Sequence, residues 1–174
     1  MRKSAQKTGF TLVELLIVVG IITLLSAFAL PGLGNYLESQ SLSQSLDQLK
    51  NDLRTAQNDA LTGKLSSVQN LKYWGAVPTG NDRISYVTFD SQGLNFNSRG
   101  VGESLVGDTI IATGPDSMVL FEMFTGNAYT SGATSQCDST GSNCEIIIKN
   151  GSQCSAVRVN TAGASSKEES VSCT

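Results

Sequence analysis

Four cysteines carry the clearest chemistry in this chain, and all of them lie in its C-terminal quarter: Cys137, Cys144, Cys154 and Cys173. Cysteines of exported proteins form disulfides, and four cysteines allow three pairings. The two local pairings, first with second and third with fourth, close the shortest loops without crossing and are favoured. A zinc site is the poorer interpretation because the chain has no C-x-x-C motif and no histidine.

The other reactive side chains form no catalytic constellation. Without histidine there is no imidazole base, and the serines are spread through turn and loop sequence. The segment Asp138–Asn143 offers oxygens for Ca²⁺, but a single formal charge makes a poor cation cage, so a cross-linked hairpin is favoured. Glu168 and Glu169, beside Lys167, are interpreted as solvated. We therefore expect no enzyme, no metal site and no cofactor.

Charge argues against nucleic acid as a partner. The formal net charge is −3, and such a surface does not attract DNA generically. From Glu145 onward the basic residues Lys149, Arg158 and Lys167 are matched by as many acidic ones, so no basic groove is expected. Tyr73 and Trp74 stand beside alternating apolar residues and are interpreted as core rather than as a base-stacking platform.

Glu14 is the one ionisable residue in a long apolar stretch, residues 10–30. At about 1.5 Å per residue, a helix of that length spans roughly 30 Å, the hydrocarbon core of a bilayer. A carboxylate there costs on the order of 2 to 3 kcal/mol unless it is neutralised or paired. Ahead of it, residues 1–9 carry Arg2, Lys3 and Lys7, so this end is expected to stay cytoplasmic. The sequence thus predicts a membrane span whose carboxylate needs a partner.

At these residues the chain resembles the type IV pilins and type II secretion pseudopilins. Their signature is a basic leader ending in glycine, then a phenylalanine, a Thr-Leu-Val-Glu type run and a long apolar helix; here these are Gly9, Phe10 and the run ending at Glu14. The resemblance implies cleavage between Gly9 and Phe10 by prepilin peptidase, methylation of the Phe10 amine and assembly into a helical filament. It also implies that Glu14 pairs with the N-terminal amine of a neighbouring subunit.

The same resemblance implies where the protein works. The partners it implies are other pilin or pseudopilin subunits, prepilin peptidase and the inner-membrane assembly machinery. The chain is expected to cross the cytoplasmic (inner) membrane once, with an extracytoplasmic head, and to end in a periplasmic or extracellular filament.

The elements around these residues divide the chain into four parts. Residues 1–9 are the leader and residues 10–30 the membrane-spanning assembly helix. Residues 31–67 form the amphipathic second half of the same helix, and residues 68–174 form a β-rich head with the cysteines. Pro31, Gly32 and Gly34 predict a kink, local melting or exit turn between the helix halves.

Helical spacing returns after residue 36. One apolar face is predicted from residues recurring every three or four positions, and a sheet is expected to cover it: Leu42, Leu46, Leu49, Leu53, Ala56 and Ala60. Gly63 and the following serines are expected to end the helix.

Beyond residue 68 short β-type runs alternate with turn residues. The predicted strands are residues 71–77, 84–90, 105–113, 118–124, 144–149 and 155–160, with weaker ones at 94–96 and the C-terminus. The fold class is therefore α+β, a long N-terminal helix packed on an antiparallel β-sheet or β-sandwich head, as in pilins.

The middle of the chain resembles one subgroup of this family. Leu46–Leu61 resembles the helix of the GspH/FimT-type pseudopilins and minor pilins, although Gln57 stands where that group often has arginine. The resulting hypothesis is a minor pilin or pseudopilin. Two alternatives stay open: a major pilin, suggested by the loop between Cys154 and Cys173, and a DNA-binding minor pilin for natural transformation.

Overall fold

The computed structural model describes residues 11–64, 71–90, 97–113, 118–130 and 135–173. The chain divides into two compact units, Met1–Leu37 and Glu38–Thr174. Along the described chain, one helix, α1 (Leu12–Leu61), precedes nine strands. The order is therefore a helix followed by a β-rich region, as the sequence predicts.

In the first unit, α1 begins after Thr11 and continues through Pro31, Gly32 and Gly34. Proline lacks the N–H that would bond the carbonyl of Ala27, one turn earlier, but the helical bonds on either side do not depend on it. α1 is helical through these residues, and the kink, local melting or exit turn predicted there stays a prediction.

The membrane span predicted for residues 10–30 is not confirmed. Within the part of the chain that the structure describes, no helix is long and apolar enough to cross a membrane.

In the second unit, α1 buries one face. All six apolar residues of the predicted stripe, from Leu42 to Ala60, are buried. The helix ends in a Schellman motif: the N–H of Lys64 bonds the carbonyl of Asp59 at 3.1 Å, and that of Gly63 bonds Ala60 at 3.1 Å. Gly63 supplies the required positive φ of 64°. The predicted stripe and the predicted stop at Gly63 are confirmed, whereas the serines predicted to help end the helix, Ser66 and Ser67, lie outside the described residues.

The first sheet is antiparallel, with five strands in the order β3-β2-β1-β5-β6. The strands are β1 (Leu71–Thr79), β2 (Arg83–Asp90), β3 (Asn97–Val101), β5 (Val119–Glu122) and β6 (Ala128–Tyr129). Trp74 and Phe121 point into the core shared with α1, whereas Tyr73 and Leu120 pack in a separate cluster. Because both faces of this sheet are covered, β1 is buried along most of its length instead of alternating.

The second sheet is antiparallel, with four strands in the order β4-β7-β8-β9. The strands are β4 (Ile110–Ile111), β7 (Glu145–Asn150), β8 (Gln153–Val159) and β9 (Ser165–Glu169). Ile146, Ile148 and Val157 join the same core as α1, so the helix and both sheets share one hydrophobic interior. Ile147 and Ala156 lie in another cluster, against Val171 of the C-terminal tail.

The antiparallel α+β architecture is confirmed, with two sheets in the head. The long strand predicted at residues 105–113 is wrong, because only Ile110–Ile111 pairs as a strand. The preceding residues instead bond to side chains of α1, as Val106 N–H does to Ser45 Oγ at 3.0 Å. The short strands β3 and β6 were not predicted, and the weak strand at residues 94–96 lies outside the described residues.

Candidate assembly surface

The first half of α1 presents apolar side chains to solvent on every side. Each large apolar residue from Leu12 to Leu25 is at least 46% exposed. Because they follow one another along the helix, they cover its whole circumference. Monomeric soluble proteins rarely expose contiguous apolar patches of this kind. This surface is therefore incomplete until lipid or other chains cover it.

The hydroxyl groups within this segment are satisfied inside the helix. Thr23 Oγ1 donates to the carbonyls of Val19 and Gly20 at 3.1 and 2.9 Å, and Ser26 Oγ donates to that of Ile22 at 2.8 Å. Such back-bonding removes the need for outside partners. The apolar surface is thus interrupted by a single charged group, the exposed Glu14.

Glu14 lies in the first turn of α1. Its backbone N–H donates to Thr11 Oγ1 at 3.3 Å, so Thr11 caps the helix. The spacing Thr-x-x-Glu, typical of a capping box, is the sequence signal that predicts this cap. A negative side chain also suits the positive end of the helix dipole. The Glu14 carboxylate forms no ion pair with any described residue.

The predicted processing site, Gly9 and Phe10, lies outside the described residues. Cleavage there and pairing of the Phe10 amine with Glu14 therefore stay predictions.

In the head, buried polar contacts hold α1 to the β-strands. Asp52 Oδ1 accepts from the Tyr86 hydroxyl at 2.6 Å, while Asp52 Oδ2 is buried without a described partner. Burial raises the pKa of Asp52, and the nearby Glu103 raises it further, against the lowering effect of the Tyr86 bond. Burial and the same carboxylate raise the pKa of Tyr86. This pair joins α1 to β2.

The cysteines form the two local pairs. Cys137 is bonded to Cys144 and Cys154 to Cys173, with Cα–Cα distances of 5.6 and 5.5 Å. The second disulfide ties the C-terminal tail to β8, where Val171 N–H also bonds the carbonyl of Cys154 at 3.0 Å. The tail therefore covers the second sheet on the side opposite the shared core.

In the loop between Cys137 and Cys144, the Asp138 carboxylate accepts hydrogen bonds from other residues of the same loop. Asp138 accepts from the backbone N–H groups of Thr140 and Ser142 at 3.0 and 2.9 Å, and from both of their hydroxyls. These bonds, the Ser142 hydroxyl first, lower the pKa of Asp138. Among the described residues, no group of three or more acidic or cysteine side chains is placed to hold a metal ion.

The basic residues near the C-terminus are largely neutralised. Arg158 bonds Glu145 at 2.7 Å and also Glu168, and Lys167 pairs with Asp47 on α1. Arg158 and Lys167 are therefore already paired with carboxylates, whereas binding of a nucleic acid backbone needs cations that can pair with its phosphates. Tyr73 and Trp74 are buried, and Trp74 Nε1 donates to the carbonyl of Lys64 at 3.1 Å, which confirms their place in the core.

These features define a class of protein: a structural subunit with a cross-linked β head and an apolar helix segment that a single copy leaves uncovered. Comparisons with known proteins agree. Residues 4–30 match the family described as the prokaryotic N-terminal methylation motif. The fimbrial protein of Moraxella nonliquefaciens is 32% identical over 126 residues, covering 62% of this chain and 77% of that protein.

Two further relatives match mainly shorter segments. The type IV major fimbrial protein FimA of Dichelobacter nodosus is 42% identical over 82 residues, or 41% of this chain, and the chain spans about half of its length, 51%. Prepilin peptidase-dependent protein D of Escherichia coli K12 is 46% identical over 41 residues, 24% of this chain and 28% of that protein. No solved structure matches the chain.

The chain belongs to the type IV pilin family. Two of these relatives are named fimbrial proteins, which are structural proteins and not enzymes, and the same holds for this chain. The GspH/FimT-type subgroup suggested by Leu46–Leu61 is not confirmed, because the fimbrial relatives carry no such name.

Proposed function

We propose that this chain is a minor pilin or pseudopilin, processed by prepilin peptidase and built into a type IV pilus-like filament through its N-terminal helix. One observation carries the proposal: the apolar residues Leu12 to Leu25 are exposed on all sides of α1. In a filament outside the membrane this surface would face water, at a cost of about 25 cal/mol per Å² of apolar area, unless the same segment of several copies packs side by side. The proposed function of the chain is therefore to assemble with other copies or related subunits into a filament.

Before assembly the chain is located in the inner membrane, with the head on the extracytoplasmic side. Three observations support this location: the apolar surface of α1, the basic residues of the leader and the two disulfides of the head. Fractionation tests it, since the unassembled chain should sediment with inner membranes and its head should be accessible to protease only from outside the cytoplasm.

Glu14 sets the axial register between neighbouring copies by pairing with the Phe10 amine. The support is that Glu14 is the only charge on the apolar segment and has no described ion-pair partner within its own chain. Glu14→Ala is expected to be inserted and processed but absent from sheared filaments, whereas Glu38→Ala, an acid further along α1, should be incorporated. Normal filament levels of Glu14→Ala would refute the register role.

Processing takes place between Gly9 and Phe10. The support is the matched methylation motif and the Escherichia coli relative whose name states dependence on prepilin peptidase. Gly9→Val should accumulate as the full-length precursor, and mass spectrometry of the wild-type chain should find a methylated Phe10 terminus. A mature-sized product of Gly9→Val contradicts cleavage at this site.

A second candidate is a major pilin that forms the bulk of the filament. Two observations favour it: the FimA relatives are named major fimbrial proteins, and the Cys154–Cys173 disulfide closes a C-terminal loop of the kind that suggested this alternative. Copy number separates the candidates. Quantitative mass spectrometry of purified filaments should find a few copies per filament for a minor subunit and most of the protein mass for a major one.

A further inference from the structure

The exposed face of α1 in the head carries an unpaired basic turn. Asp47, Asn51 and Arg54 are exposed and Lys50 is half-buried. Asp47 forms an ion pair with Lys167. Neither Lys50 nor Arg54 forms an ion pair with any residue that the structure describes. We call Lys50 and Arg54, which are one helical turn apart, the basic pair.

An acidic loop follows the other flank of the same helix. Residues 102–108 contain Glu103 and Asp108, both exposed, and no basic residue. The loop is held by Gln48, whose Nε2 donates to the carbonyls of Glu103 and Ser104 at 2.9 and 3.1 Å. Its carboxylates are in no ion pair with described residues.

The basic pair and the acidic loop cannot meet within one copy. Gln48, which marks the position of the loop on α1, is two residues before Lys50, and at 3.6 residues per turn they point about 200° apart around the axis. The acidic loop therefore lies on one flank of α1 and the basic pair on the opposite flank. Opposite charges on opposite flanks are complementary when copies stand side by side in the same orientation.

We infer that in the filament the basic pair of one copy docks against the acidic loop of the next copy. The inference rests on the proposed assembly of parallel copies. Glu103 lies between the levels of Gln48, which bonds its carbonyl, and Asp52, whose carboxylate lies beside Gly102, so reaching Lys50 or Arg54 requires an axial offset of at most about six residues, about 9 Å. The proposed contact between Glu14 and the Phe10 amine offsets copies by four residues, about 6 Å, in the direction that moves Glu103 toward Arg54. Glu103 then faces the turn of α1 that contains Arg54.

Charge reversal tests this contact in cells that assemble the filament. Three versions of the full chain are compared: Lys50→Glu with Arg54→Glu, Glu103→Lys, and all three changes together. Each exposed pair is weak and reversal turns attraction into repulsion, so each reversal alone is expected to lower the amount in sheared filaments by about two- to tenfold. The combined variant is expected to recover most of the wild-type level.

Controls separate this contact from folding and from net charge. Lys72→Glu, a reversal in β1 of a residue whose contacts are with Glu122 and Tyr73, should be incorporated normally, and a non-reducing gel should show both disulfides in every variant. Wild-type incorporation of both single reversals, or a combined variant no better than either, overturns the inter-copy contact and leaves the filament function standing. A wild-type chain missing from filaments overturns the filament function and this contact with it.

Discussion

The disulfide between Cys154 and Cys173 is expected to be the larger of the two covalent contributions to head stability. It closes a sequence separation of 19 residues, against 7 for Cys137–Cys144. The chain-entropy relation gives about 3 kcal/mol for the longer loop and about 2 kcal/mol for the shorter one. Losing the longer loop also releases the tail that covers Ile147, which adds to the effect.

This stability difference can be measured as a change in melting temperature. For a head of this size, each kcal/mol shifts the midpoint by about 4 °C. Cys154→Ala with Cys173→Ala should therefore melt roughly 12 °C below the wild-type chain, and Cys137→Ala with Cys144→Ala roughly 8 °C below. Trp74, the only tryptophan and a buried one, reports head unfolding by fluorescence in the full-length, detergent-solubilised protein.

The comparison between the two double variants gives the reasoning its clearest test. If the Cys154/Cys173 variant melts within about 3 °C of the wild-type chain, the tail does not stabilise the head in the way that the loop length requires. A larger loss for the Cys137/Cys144 variant would also refute the argument, since its loop is shorter. Wild-type protein treated with a reductant should melt below both.

Three further predictions use the same fluorescence assay. Leu49→Ala removes a side chain that is 0% exposed and should cost about 2 to 5 kcal/mol in urea unfolding; a smaller loss contradicts a packed interface. Gly163→Ala, with φ 77° and atoms only 2.2 Å from the new Cβ, should destabilise more than Gly80→Ala, which has φ 68° and open space; equal losses contradict the close contact. Asp52→Asn should gain stability relative to wild type as pH rises above 3.8, because a raised folded pKa makes the ionised carboxylate unfavourable; a pH-independent difference contradicts this.

The sequence predicted the structure best where residues close together in the chain determine it. The apolar residues of α1 from Leu42 to Ala60 recur at helical spacing, so their burial follows from periodicity alone. Gly63 was predictable as a helix stop because a positive φ after a helix favours glycine. The local cysteine pairs agree with the preference for short, uncrossed loops.

Prediction failed where distant residues decide the local structure. Residues 105–113 have strand-like composition, yet Ser45 of α1 bonds the backbone of Val106, Gln48 bonds the two carbonyls just before this segment, and only Ile110–Ile111 pairs as a strand. The Asp52–Tyr86 bond joins residues 34 positions apart, and no local pattern announces it. The same holds for the acidic loop, whose position on the flank of α1 depends on these contacts.

We expect the apolar segment of α1 to supply the affinity between copies, and the charges without an ion-pair partner to supply their axial register. The attraction between apolar segments is non-directional, because a hydrophobic surface around a whole helix favours contact without selecting an axial position. Within the described head, Arg158 and Lys167 are already paired and contribute little to a neighbour. We expect position along the filament to depend on charges that form no ion pair with described residues, among them Glu14, the basic pair and Glu103. Since exposed ion pairs are screened by salt, high ionic strength should disturb the order of the filament before it dissolves the helix packing.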